Sequence, residues 1–148
     1  MSDVNSALQP GSAPKRGKKY FTLGDARRAL PYVKRIARDI QDAQENRLRL
    51  HTELGEGTNT SPDRARRLQA ELGRETGRLE ALVDELQKAG VELKDPARGL
   101  LDFPSMHKDR EILLCWKSGE ETITHWHEVN TGYAGRRPVE ELEGRGRS

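Results

Sequence analysis

Cysteine is nearly missing from this chain of 148 residues, in which Cys115 stands alone. A single thiol excludes an intrachain disulfide and the paired-cysteine spacing of a zinc knuckle, and it fits a reducing compartment. Aromatic residues make up only 5% of the chain, and an apolar fraction of 33% is matched by 34% charged residues. So little apolar material does not fill the core of a sandwich. It suits long solvated helices attached to a small packed unit, and the length supports one domain. No apolar run approaches membrane-spanning length, and the opening MSDVNSALQPGSAPKRGKK lacks the apolar stretch of a signal peptide. The expected setting is therefore the cytoplasm, with no membrane partner. A large charge of one sign is missing as well. The net charge of +2 does not make a nucleic-acid binder by bulk attraction, so nucleic acid is not the expected partner.

What is present is unevenly placed. Residues 1–19 are rich in Ser, Pro, Gly and Lys, with Lys15, Arg16, Lys18 and Lys19 toward their end. They are expected to be a disordered basic tail, because they cannot bury enough surface to offset ordering entropy. A single α+β domain is expected over residues 20–139, followed by a frayed C-terminus over 140–148. Thr22 is a good helix N-cap, with Asp25 in the first turn. Pro31 predicts a kink or restart near Leu30. Val33, Ile36, Ile40, Ala43, Arg47, Leu50 and Leu54 then form a heptad seam with Arg47 as its flaw. A loop follows at Gly55 to Asp63, and Ser61-Pro62 opens a second helix with the seam Leu68, Leu72, Glu75, Leu79, Leu82, Leu86. Gly90 is a stop signal. The two helices, over 22–90, are expected to pair as an antiparallel, coiled-coil-like hairpin, which could also serve as a homodimer arm. Arg47 and Glu75, at similar depth, are expected to face each other as an ion pair.

Beyond Gly90 the apolar period changes to two, and residues 91–139 read as a small antiparallel β-meander with a Gly/Arg loop. Strands are expected at Val91 to Lys94, ahead of a turn at Asp95-Pro96, at Leu100 to Phe103 closed by Pro104, at Glu111 to Lys117, and at Thr122 to Val129. The segment Asp102 to Pro138 holds both tryptophans, the cysteine and three of the four histidines. Scarce, chemically versatile side chains crowded into one segment mark where function is expected to reside.

The set GLLDFPS, LCWKSGE and WHEVNTGYAGRRP, together with FTLGDARRALPYV at the start of the ordered region, resembles the uncharacterised bacterial domain-of-unknown-function family 2203. The resemblance covers about Tyr20 to Val139. It implies a small soluble bacterial protein and supplies no activity or catalytic residues.

Several constellations carry chemistry. On a strand Thr122 to Val129, Ile123, His125, His127 and Val129 would share one face. Two histidines at i and i+2 can converge on a transition metal, with Cys115, Asp102 or His107 as a third ligand. A satisfied structural histidine is the competing reading. Cys115, inside Ile112-Leu113-Leu114-Cys115-Trp116, reads as a small buried hydrophobe with a raised thiol pKa; a Cys-His nucleophile is its alternative. Asp102, Glu120, His127 and Glu128 could assemble an acid-base site. Glu128 points to the other face, so Asp102, expected on the strand adjacent to that of His127, is the better partner. A turn-stabilising role before Phe-Pro is the competing reading for Asp102. Trp116 and Trp126 would pair across a hairpin or, if half-exposed, anchor a partner. Gly132-Tyr133-Ala134-Gly135-Arg136-Arg137 offers a phenol and two guanidiniums for an anion or an acidic protein surface. The arginines of the second helix interleave with glutamates and read as a solvated face.

Two functional expectations follow. The first is a binding module in which Trp116, Trp126, Tyr133, Arg136 and Arg137 meet a partner protein or anionic ligand. The second is a small metal-dependent or redox enzyme using Asp102, Cys115, His125 and His127.

Overall fold

The computed structural model describes residues 17–56 and 61–142. Two long helices lead the chain: α1 spans Leu23–Gly55 and α2 spans Pro62–Lys88. They pack against each other as the expected hairpin. Their ends follow the sequence signals. The Thr22 hydroxyl accepts the Asp25 N–H at 3.0 Å, and the Ser61 hydroxyl accepts that of Arg64 at 3.1 Å. At the end of α2, Gly90 has φ 86° and donates to Gln87, while Val91 donates to Leu86. This doubly bonded reversal needs a left-handed residue, which glycine supplies without strain.

The helix α1 does not restart at Pro31. It runs on unbroken, because Leu30, Val33, Ile36, Ala37 and Ile40 are all buried on one side. That row outweighs the one hydrogen bond which an exposed proline removes. Nor do Arg47 and Glu75 pair across the hairpin. Arg47 donates to Thr76 and Gln44, and Glu75 accepts from Asn46 and Arg78. Each long side chain finds a partner in a neighbouring row, so no buried charge forces the helices into register.

After the hairpin comes a five-stranded antiparallel meander in sequential order, β1-β2-β3-β4-β5. The strands are Glu92–Asp95, Leu100–His107, Arg110–Lys117, His125–Glu128 and Arg137–Pro138. Strand β2 does not close at Pro104. The strand β1 pairs only as far as Asp102, which leaves β2 an edge beyond that point. There the Pro104 carbonyl accepts the Phe21 N–H at 2.7 Å. A residue's N and O point the same way on an antiparallel strand, so the missing N–H of Pro104 falls on the edge, where no ladder bond is lost. The β2–β3 reversal uses Lys108 and Asp109, both at positive φ (51° and 64°), as a two-residue turn matched to strand twist. Strand β4 is shorter than expected. Ile123 leaves the alternation to enter the core, and Arg27 of α1 clamps its carbonyl with two N–H donors at 2.9 and 3.1 Å.

One sheet face, carrying Leu101, Phe103, Ile112, Leu114, Trp116 and Trp126, packs on the helices. The other carries Asp102, Cys115, His125 and His127. The described chain begins at Gly17, and Lys18 bonds Glu111 at 2.7 Å; the rest of the expected basic tail and most of the frayed C-terminus lie outside the described residues. No helix among the described residues is long and apolar enough to cross a membrane.

Candidate functional site

The β-register assembles the outer-face cluster. Asp102 on β2 lies opposite Cys115 on β3, and Cys115 lies opposite His125 on β4. His127, two residues along β4, reaches back across β3, and its Nε2 is 3.0 Å from Asp102 Oδ1. Strand β4 is thus two strands from β2 and not adjacent to it, yet the expected Asp102–His127 partnership forms. The nearest ligand-capable atoms of Asp102, Cys115 and His127 all lie within 4.8 Å of one another, and the residues are 2%, 0% and 2% exposed. His127 Nδ1 donates to the Glu128 carbonyl at 2.7 Å, which fixes the ring and turns Nε2 toward the cluster.

The electrostatics follow from burial. Desolvation works to keep His127 neutral, but the hydrogen bond and charge of Asp102 outweigh it, and the imidazole titrates above its ordinary range. Burial, then the Asp102 charge, pushes the Cys115 thiol up to about 12. At neutral pH Cys115 is a protonated thiol and not an activated nucleophile.

Other expected members are elsewhere. His125 is half-buried and bonds Thr124 Oγ1 through Nδ1 at 2.9 Å, so the two histidines do not converge. His107 lies at the helix-facing end of β2, 6.3 Å from the Trp126 ring. Glu128 is held by Arg110, and Glu120 by Arg136. Both tryptophans are buried on the helix-facing side, so neither offers a half-exposed anchor; Trp126 stands opposite Leu114, not Trp116. Their large surfaces are absorbed by a core that has few other aromatics.

The Gly/Arg segment folds over the outer face as a 3-10 turn, Tyr133–Gly135, with the Tyr133 ring beside Arg98, Lys117 and Arg136. Its guanidiniums are occupied. Arg136 bonds Glu120 Oε2 at 2.7 Å and the Tyr133 hydroxyl at 3.1 Å, and Arg137 pairs with Glu141 at 2.6 Å over Trp126. Arg136 is only 12% exposed against 47% for Arg137. Arg136→Ala is therefore expected to cost about 1–3 kcal/mol of stability and Arg137→Ala less than about 1 kcal/mol. Equal costs in urea unfolding would contradict this division.

A second surface escaped the sequence reading. Lys34, Arg35 and Arg38 of α1 face the β3–β4 turn across an open groove of about 510 Å³, lined also by Pro31, Trp116 and residues 118–121. No hydrogen bond or ion pair holds these three cations among the described residues. The signal was present as three cations within five residues, but their position opposite a sheet turn is a tertiary fact.

The profile of a family described as "Uncharacterized conserved protein (DUF2203)" matches residues 19–139. The chain belongs to that family. The DUF2203 match takes in both helices and the sheet as far as Val139, so the buried cluster, the Tyr133 turn and the cationic groove all lie within it. Neither curated proteins nor solved structures give a match.

Proposed function

We propose that this protein is a cytoplasmic bacterial binding module that holds an acidic segment of a partner protein in the groove between α1 and the β3–β4 turn. The observation that carries this reading is the trio Lys34, Arg35 and Arg38, exposed and without a carboxylate partner among the described residues. Elsewhere among the described residues the cations are mostly taken: Lys18, Arg28, Arg49, Arg66, Arg78, Lys88, Arg110, Arg136 and Arg137 all sit in ion pairs. Glu120, which lines the groove, is engaged by Arg136 and by the Lys117 N–H at 2.8 Å. Tyr133–Arg137 thus contributes by withdrawing a carboxylate from the groove and not by gripping the ligand. An open groove suits an extended chain better than a small molecule, which favours an enclosed pocket. Guanidiniums give such a chain bidentate carboxylate contacts.

The test is binding of a labelled polyglutamate peptide at low and raised salt. Arg35→Glu with Arg38→Glu is expected to weaken binding by at least about tenfold. Arg67→Glu with Arg74→Glu, the same charge change on the far helix, should leave it nearly unaltered. Equal losses from both pairs, or tighter binding of a duplex oligonucleotide than of the peptide, would overturn the reading.

A further inference from the structure

Three strands place a carboxylate, a thiol and an imidazole within 4.8 Å of one another, all three of them buried. We propose that Asp102, Cys115 and His127 bind one zinc ion, with a fourth coordination position left for water or an exogenous ligand. This inference is independent of the cationic groove.

The geometry needs little adjustment. Tetrahedral zinc with bonds of about 2.0–2.3 Å holds its ligand atoms roughly 3.3–3.7 Å apart. His127 Nε2 and Asp102 Oδ1 are at 3.0 Å and would open slightly, while the thiol would close in from within 4.8 Å. The imidazole is already set as a ligand. Its Nδ1–H is committed to the Glu128 carbonyl at 2.7 Å, which leaves Nε2 facing the carboxylate and thiol, the usual outer bond of a zinc-binding histidine.

Charge gives a second argument. A buried site must be close to neutral. One carboxylate, one thiolate and one neutral imidazole cancel a divalent cation with nothing left over. Binding forms M–O, M–N and M–S bonds and releases to solvent the thiol proton and the proton shared by His127 and Asp102. The Arg136 guanidinium is held by Glu120 Oε2 at 2.7 Å. Its Nε is buried without an acceptor, the kind of donor that the outer surroundings of a metal thiolate can use. The mixed S, N, O set is what borderline-soft zinc accepts, and three protein ligands with one open position mark a site that can still exchange a ligand.

The experiment uses the full chain purified without a histidine tag, stripped with chelator, and titrated with Zn²⁺ and separately with Co²⁺. One zinc per chain should be retained through gel filtration. The cobalt form should show a thiolate-to-metal charge-transfer band, which only Cys115 can produce because it is the single cysteine. Cys115→Ser, with unchanged circular dichroism, should lose that band and weaken zinc binding by at least about tenfold, the lower end for loss of support to a metal site. Folded protein that stays metal-free, or cobalt bound without a thiolate band, overturns the proposal. The wild-type cobalt spectrum decides even if the serine variant fails to fold.

Discussion

Replacing His127 with alanine in the metal-free protein is expected to destabilise the domain by about 3–5 kcal/mol, the range for breaking one side of a buried charge pair. Asp102 would keep its place on β2 with its 3.0 Å partner gone and almost no access to solvent. The pair also gives stability a pH dependence with a definite sign. The folded pKa of His127 is raised, since the bond and charge of Asp102 outweigh burial. The unfolded group titrates at about 6.5. Stabilisation by the pair is thus complete below about pH 6.5 and lost as pH rises through the higher folded pKa. Urea unfolding of chelator-treated protein should show stability falling from about pH 6.5 into the alkaline range. Asp102→Asn should flatten that slope, at its own cost in stability. A stability that rises with pH over this window would mean that His127 is buried neutral and that the sign is reversed.

Much of the architecture was legible because it depends on short-range chemistry. Thr22, Ser61 and Gly90 announce helix ends through bonds that span only a few residues. The seam from Val33 to Leu50 follows from helical periodicity, and the buried set agrees with it apart from Arg47, which is missing, and Ala37, which is added. Cys115 and His127 were recognisable as scarce residue types in one segment, with Asp102 as a carboxylate beside them. Their meeting, however, needed the β2–β3–β4 register, in which a side chain bridges over an intervening strand. Side-chain partners were the least legible. Arg47 and Glu75 sit at similar depth along their seams, yet apolar spacing fixes neither helix rotation nor the reach of a long side chain. The same limit hid the engagement of Arg136 by Glu120, sixteen residues away. It also hid the groove, because Lys34, Arg35 and Arg38 acquire meaning only when the β3–β4 turn is laid beside them.

That placement depends on the sheet being locked to α1, and Phe103 is the residue best placed to test it. Phe103 is fully buried on the helix-facing side, edge-on to Phe21 with ring centroids 5.3 Å apart and planes at 86°. Phe21 is itself bound to β2, through its N–H to Pro104 and through its carbonyl, which accepts the Ser105 hydroxyl at 2.6 Å. Phe103→Ala would leave a cavity at the joint between the chain entering α1 and the sheet. The expected loss is about 3–5 kcal/mol, since neither the strand ladder nor the helix row can collapse freely into the space. A double-mutant cycle with Phe21→Ala should return a coupling of about 0.5–1.5 kcal/mol, the contribution of an edge-to-face pair beyond area burial. Leu48→Ala serves as the contrast. At 69% exposure on the distal part of α1, Leu48 should change stability by no more than about 0.5 kcal/mol. Hairpin and sheet should unfold together in wild type by both far-ultraviolet circular dichroism and tryptophan fluorescence, because both tryptophans lie at their junction. Separate transitions, or a Phe103→Ala cost below about 1 kcal/mol, would show that the hairpin stands without the sheet. The groove would then lack the fixed wall that its cations require.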